Sequence, residues 1–214
     1  MPQRVDIWRL ALGRHADGTL LSPAELDRAA RMRPGPAREG FVATRVALRQ
    51  ILAAYLGLAP SQVPLAERAG GKPVLDAAAA CADWRFNLSH TRGLALCAVA
   101  LGCEVGVDVE WIDPALAWQA IAAAQFPAHE QAALLALPER AQRTAFFSAW
   151  TRKEARLKGL GTGFAVAVHE VQSPPGPWAV MNLDVGPGYA AALAVQGEAP
   201  PELRLRPWPK QSAA

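Results

Sequence analysis

The chain has 214 residues, 51% of them hydrophobic and 19% charged, with a net charge of +3. That length buries one large or two small cores, and so slight a basic excess does not call for nucleic acid as a partner. No apolar run reaches the ~18 residues of a membrane span and Met1–Leu12 lacks a secretory leader, so a soluble cytoplasmic protein is expected.

Val5–Leu10 opens the chain as a strand, and the main helix of the region that follows is expected near Arg38–Leu56. Gly70-Gly71-Lys72-Pro73 reads as a stiff turn that fixes a lysine. Two strands, Trp84–Ser89 and Leu94–Leu101, are joined through His90-Thr91-Arg92-Gly93. Val105–Glu110 alternates strictly and predicts a half-buried strand. A second main helix is expected over Ala141–Lys158, followed again by a pair of short strands. Pro174–Pro177 and Pro207–Ala214 read as loops, the latter as a disordered tail. The cysteines, Cys81, Cys97 and Cys103, have no C-x-x-C spacing and read as reduced thiols, Cys97 in a core strand.

The plan occurs twice. Asn87-Leu88, Gly93, Ala95 and Gly102 recur at identical spacing as Asn182-Leu183, Gly188, Ala190 and Gly197. Phe41, Arg45 and Arg49 are echoed by Phe146, Trp150 and Glu154; Leu56-Gly57 by Leu160-Gly161; Val5-Asp6 by Val107-Asp108. The expectation is an α+β fold of two similar halves, 1–103 and 104–214, in pseudo-twofold arrangement.

Three segments carry chemistry. Asp108 and Glu110 stand two apart on a strand, ~6.5–7 Å from each other on one face, and repel unless a cation lies between them. Mg²⁺ suits such hard oxygens, and Gly106 is expected to leave space beside the pair. Trp150, Glu154 and Lys158 form an i, i+4, i+8 line whose tryptophan draws Glu154 towards a cleft, as a third oxygen ligand. Lys158 then offers a point charge to a diphosphate. Phe86-Asn87-Leu88-Ser89-His90-Thr91 places hydroxyl, imidazole and backbone donors at a hairpin tip, where a phosphate could be met.

Gly106-x-Asp108-x-Glu110, followed by Trp150-x-x-Lys153-Glu154-Ala155-x-x-Lys158, resembles the paired motif of the 4′-phosphopantetheinyl transferases. Phe86-Asn87-Leu88-Ser89-His90 and Gly71-Lys72-Pro73 are similar to upstream motifs of the larger, surfactin-synthetase-activating type, which is a pseudodimer and a monomer in solution. The likeness runs from about Leu21 to Val195. It implies transfer of phosphopantetheine from coenzyme A to a serine of an apo acyl or peptidyl carrier protein, releasing 3′,5′-ADP. Asp108, Glu110 and Glu154 would hold Mg²⁺, or Mn²⁺, and Lys158 would neutralise charge on the leaving side. Glu130 falls at a position offered for the base, with Glu154 or a metal-bound water as competitors. Lys72, Ser89, His90 and Arg45 would meet the nucleotide end, joined by Arg49 at Glu154's repeat position and, on a looser alignment, Arg28. Arg156 departs from the pattern, standing where relatives often carry an aromatic residue.

Overall fold

A computed structural model describes residues 3–12, 16–67, 72–76, 83–161 and 176–208. The chain runs β1 (Arg4–Ala11), α1 (Pro23–Arg31), α2 (Pro36–Leu56), β2 (Leu65–Glu67), β3 (Pro73–Leu75), β4 (Trp84–Thr91), β5 (Leu94–Leu101) and β6 (Val105–Trp111). Then come α3 (Trp118–Gln125), α4 (Ala128–Leu135), α5 (Glu139–Leu160), β7 (Trp178–Asn182), β8 (Tyr189–Gln196) and β9 (Glu202–Pro207). The fold is mixed α+β. Cys81, Gly70, Gly71, Pro174 and the tail beyond Trp208 lie outside the described residues.

Local chemistry sets the helix limits. Ser22 and Glu25 close a capping box at the start of α1, with Pro23 inside the first turn. The two long helices end alike: α2 stops at Gly57 (φ +65°) and α5 at Gly161 (φ +73°), left-handed positions that glycine takes without a Cβ penalty.

Two main sheets stack face to face. Val5, Ile7, Leu94 and Leu96 of one meet Val105, Val107, Val109, Leu193 and Val195 of the other, in a core that is almost fully dry. Helix α2 covers the outer face of the first sheet with Leu48, Ile51 and Leu52 against Leu10, Cys97 and Val99. Helix α5 covers the second through Ala155 on Ala192 and Ala194, small residues that bring helix and sheet close. Strand β9, which the sequence reading left unassigned, adds a parallel edge to β1, so residues from the end of the chain sit in the first sheet.

The sheets share a connection order: β4-β5-β1 in one, β7-β8-β6 in the other. Register shows which repeat matches hold. Leu12 donates to the carbonyl of Gly93 and Ile112 donates to that of Gly188, both at 2.9 Å. From that shared bond, Trp8 and Leu10 take the places of Asp108 and Glu110, and Asp6 takes the place of Gly106. The Val5-Asp6 match to Val107-Asp108 is therefore displaced by two residues. The Asn87 match is displaced by one, since Asn87 pairs with Ala98 while the equivalent of Ala98 is Leu193, the partner of Met181. Trp84 and Trp178 are the matched pair. Counted back from Gly57 and Gly161, Gln50 rather than Arg49 stands opposite Glu154 in the plan.

Candidate active site

Strand β6 has β8 on one edge and side chains on the other. Asn87 Oδ1 accepts from the Val107 amide at 2.9 Å, Ser89 Oγ from Val109 at 3.4 Å and Thr91 Oγ1 from Trp111 at 3.1 Å. Alternate residues of β4 thus satisfy the amides that a further strand would have used. The hairpin tip expected to greet a phosphate is instead largely a clamp on the metal-motif strand. Its turn is Arg92-Gly93 alone, with Gly93 at φ +67°.

The other face of β6 turns Asp108 and Glu110 towards α5. A Cβ built on Gly106 would lie 2.0 Å from the Ala155 carbonyl oxygen and 2.3 Å from the Gly159 nitrogen. Gly106 therefore leaves no free space, contrary to expectation: the backbone of α5 occupies it. That approach brings Glu154 and Lys158 over the strand. Asp108 and Glu154 are 2% and 4% exposed.

Lys158 Nζ lies 2.6 Å from Asp108 Oδ1 and 2.8 Å from Ser89 Oγ, and the Ser89 hydroxyl lies 2.9 Å from the same carboxylate oxygen. Lys72 Nζ donates to the Lys158 carbonyl at 2.5 Å, at the negative end of α5, where a cation is favoured. His90 is exposed at the rim on the opposite strand face. Surrounding protein holds its pKa below the usual range, and the Lys158 charge adds to this.

The three carboxylates feel one another. Glu154 is pushed up to about 7, first by burial and then by Asp108, with Lys158 opposing. Glu110 is also pushed up to about 7, by burial, then Asp108, with Glu154 adding and Lys158 opposing. Asp108 Oδ2 and Glu154 Oε1 are buried and have no hydrogen-bond partner among the described residues. Among those residues no three His, Cys, Asp or Glu side chains form a ready-made metal set. The donors nonetheless fit a hard divalent cation: two orphaned oxygens and a third carboxylate, in a place where burial first and mutual repulsion second make negative charge costly.

The remaining expected residues separate. Glu130, on α4, is held by Lys153 at 2.8 Å, outside the carboxylate cluster. Arg28 and Arg45 converge on Glu67 at 2.7 and 2.8 Å and both lie over the Phe41 ring. Burial lowers the Arg45 pKa, and Glu67 and Glu25 oppose this; its Nη1 has no hydrogen-bond partner among the described residues. Arg49, expected at the nucleotide end, is buried against Glu25 instead. Only 2% exposed, it donates to Glu25 at 2.7 Å and to the carbonyls of Pro60, Ser61 and Val63. Its guanidinium ties α1 to the loop after α2 and does not reach the cleft. The sequence alone gives Asn87 no site role and offers Thr91 only to a phosphate; the alternation of both with Ser89 along the strand is the available signal.

The sequence model of the 4′-phosphopantetheinyl transferase superfamily matches residues 104–199. The chain is 34% identical over 213 residues to the 4′-phosphopantetheinyl transferase HetI of Nostoc sp., covering 92% of this chain and 90% of that one. It is 35% identical to AcpT of Salmonella typhimurium over 59% of this chain and 61% of the relative. With psf-1 of Bacillus pumilus it shares 34% identity over 56% of this chain and 49% of that one. Both carry the same transferase name. The chain belongs to the 4′-phosphopantetheinyl transferase superfamily.

Proposed function

We propose that this transferase moves the phosphopantetheine arm of coenzyme A onto a serine of an apo acyl or peptidyl carrier protein, as a cytoplasmic monomer built of halves 1–103 and 104–214. The observation that carries the reading is the buried cluster in which Asp108, Glu110 and Glu154 share one cation, Lys158.

Asp108, Glu110 and Glu154 would hold Mg²⁺, which when bound supplies Lewis-acid stabilisation to the coenzyme A diphosphate. Ser89 holds the Lys158 ammonium in place, so that its charge is fixed before charge develops on the departing 3′,5′-ADP. Lys72, at the end of α5, adds a second cation on that side. His90 lies at the rim, where the nucleotide end would enter. Arg45 would support the 3′-phosphate, with Arg28 beside it on Glu67. Glu130 is the proposed acceptor of the serine proton. It must first release Lys153, its ion-pair partner at 2.8 Å. Phosphoryl transfer asks mainly for positioning and charge, which this set provides.

The test is the mass of an apo carrier protein after incubation with the enzyme, coenzyme A and Mg²⁺. Gain of one phosphopantetheine on its serine is expected. A carrier that stays unmodified across acyl and peptidyl types contradicts the reading.

A further inference from the structure

Helices α4 and α5 enclose a groove of about 600 Å³ that the acidic cluster does not use. Arg152 and Arg156 line it, each two residues from Glu154 and so on roughly the opposite side of α5. Its floor is small and apolar: Ala133 of α4, Ala145 and Ala149 of α5, and Leu137 at the turn between the helices. Ala133 is exposed and Leu137 is 39% exposed. Alanines leave room above them for larger side chains from outside. From Ala145 to Arg156 the α5 wall runs about 16 Å, three helical turns, which is the length of a short helix laid alongside.

The charges along this groove are unequal. Glu130 lines it, but Lys153 neutralises that carboxylate at 2.8 Å and is itself held 4.4 Å from the centre of the Phe126 ring. Arg152 is exposed and Arg156 half-buried, and neither has an ion-pair or hydrogen-bond partner among the described residues. One turn apart, they stand about 6 Å from each other along the axis. The groove therefore offers two uncommitted guanidinium groups and no uncommitted carboxylate among the described residues, so it favours an anionic partner. Guanidinium groups at that spacing match carboxylates one turn apart on a facing helix.

We propose that this groove receives a helix of the apo carrier protein, with apolar side chains over the alanine floor and Leu137 and two carboxylates, one turn apart, on Arg152 and Arg156. The inference rests on the transferase reading, in which Glu130 takes the serine proton. Glu130 lines this same groove, so a carrier that brings its serine to Glu130 covers it.

The test reverses both charges in the full chain. Arg152→Glu with Arg156→Glu should raise the carrier KM at least about tenfold, with the KM for coenzyme A and the rate at saturating carrier unchanged. Calorimetry with a carrier whose acceptor serine is alanine should show the same loss of affinity without turnover. Ala133→Trp, at an exposed position where folding is not at risk, should also raise the carrier KM by filling the floor. Arg4→Glu with Arg204→Glu changes the net charge equally on the first sheet and should leave the carrier KM near wild type. A carrier KM unmoved by reversal at Arg152 and Arg156, or raised as much by the pair on the first sheet, would overturn the docking while the transfer itself stands. A wild type that modifies no carrier would instead overturn the transferase reading, and the docking with it.

Discussion

At the scale of residues, the site is governed by what burial does to charge. Glu110 and Glu154 keep their protons up to about 7 in the fold, against ~4.3 in an open chain. The folded state therefore binds more protons than the unfolded chain between those values. The stabilisation they contribute is complete below ~4.3 and drains away as pH rises through 7. In metal-free solution the protein should melt at a lower temperature at pH 8 than at pH 5.5. Glu154→Gln, which has no proton to lose, should reduce that difference; an unchanged difference in the variant would contradict the assignment. Two arginines on one helix divide differently. Arg49→Ala removes the closer of the two cations on buried Glu25, leaving Arg45 at 3.9 Å, and should cost about 3–5 kcal/mol of stability, read from denaturant midpoints. Arg45→Ala should instead raise the KM for coenzyme A and narrow the preference over dephospho-coenzyme A. A KM effect confined to Arg49 would reverse these roles.

At the scale of elements, the decisive contact is the approach of α5 to β6. Gly106→Ala forces a methyl into the α5 backbone and should destabilise by about 1–3 kcal/mol or more, the cost of overpacking. It should also lower kcat by pushing Glu154 and Lys158 off the strand, while a rate equal to wild type would show that this approach does not set the site. The sequence made the strand and the helix legible. Alternation in Val105–Glu110 and the Trp150, Glu154, Lys158 line pointed to the right faces. It could not show what fills the place beside Gly106, because a glycine reads alike whether it faces solvent or another backbone. Nor could it tell Arg49 from Arg45: four residues apart on a helix, they share a face, both are buried, and only the tertiary positions of Glu25 and Glu67 decide which partner each takes. The same limit applied to Ser89, where the clamp on β6 depends on the pairing of two sheets.

At the scale of the whole molecule, two sheets of matching strand order yield one acidic cluster among the described residues. Trp8 and Leu10 fill the positions that Asp108 and Glu110 hold in the second sheet. Where the second sheet carries these carboxylates, the first carries apolar side chains, and β9 returns to pair with β1 in the first sheet. Trp118 and Phe126, apolar residues in the segment after β6, are not a docking surface. They are 3% and 5% exposed and pack with Phe146 and Trp150. A mildly basic enzyme should then meet an acidic carrier largely through charge. The carrier KM should rise with ionic strength more than the coenzyme A KM, whose phosphates meet fixed groups. A carrier KM that stays flat across a salt series would contradict electrostatic docking.

As proposed, Asp108, Glu110 and Glu154 form a divalent-cation site. Electron paramagnetic resonance of Mn²⁺ titrated into the protein with coenzyme A present reads it without recourse to turnover. Saturable uptake of a single Mn²⁺ is predicted for the wild type, lost in Asp108→Ala and in Glu154→Ala while both variants keep the wild-type circular dichroism spectrum. Mn²⁺ binding that persists undiminished in Asp108→Ala would contradict it.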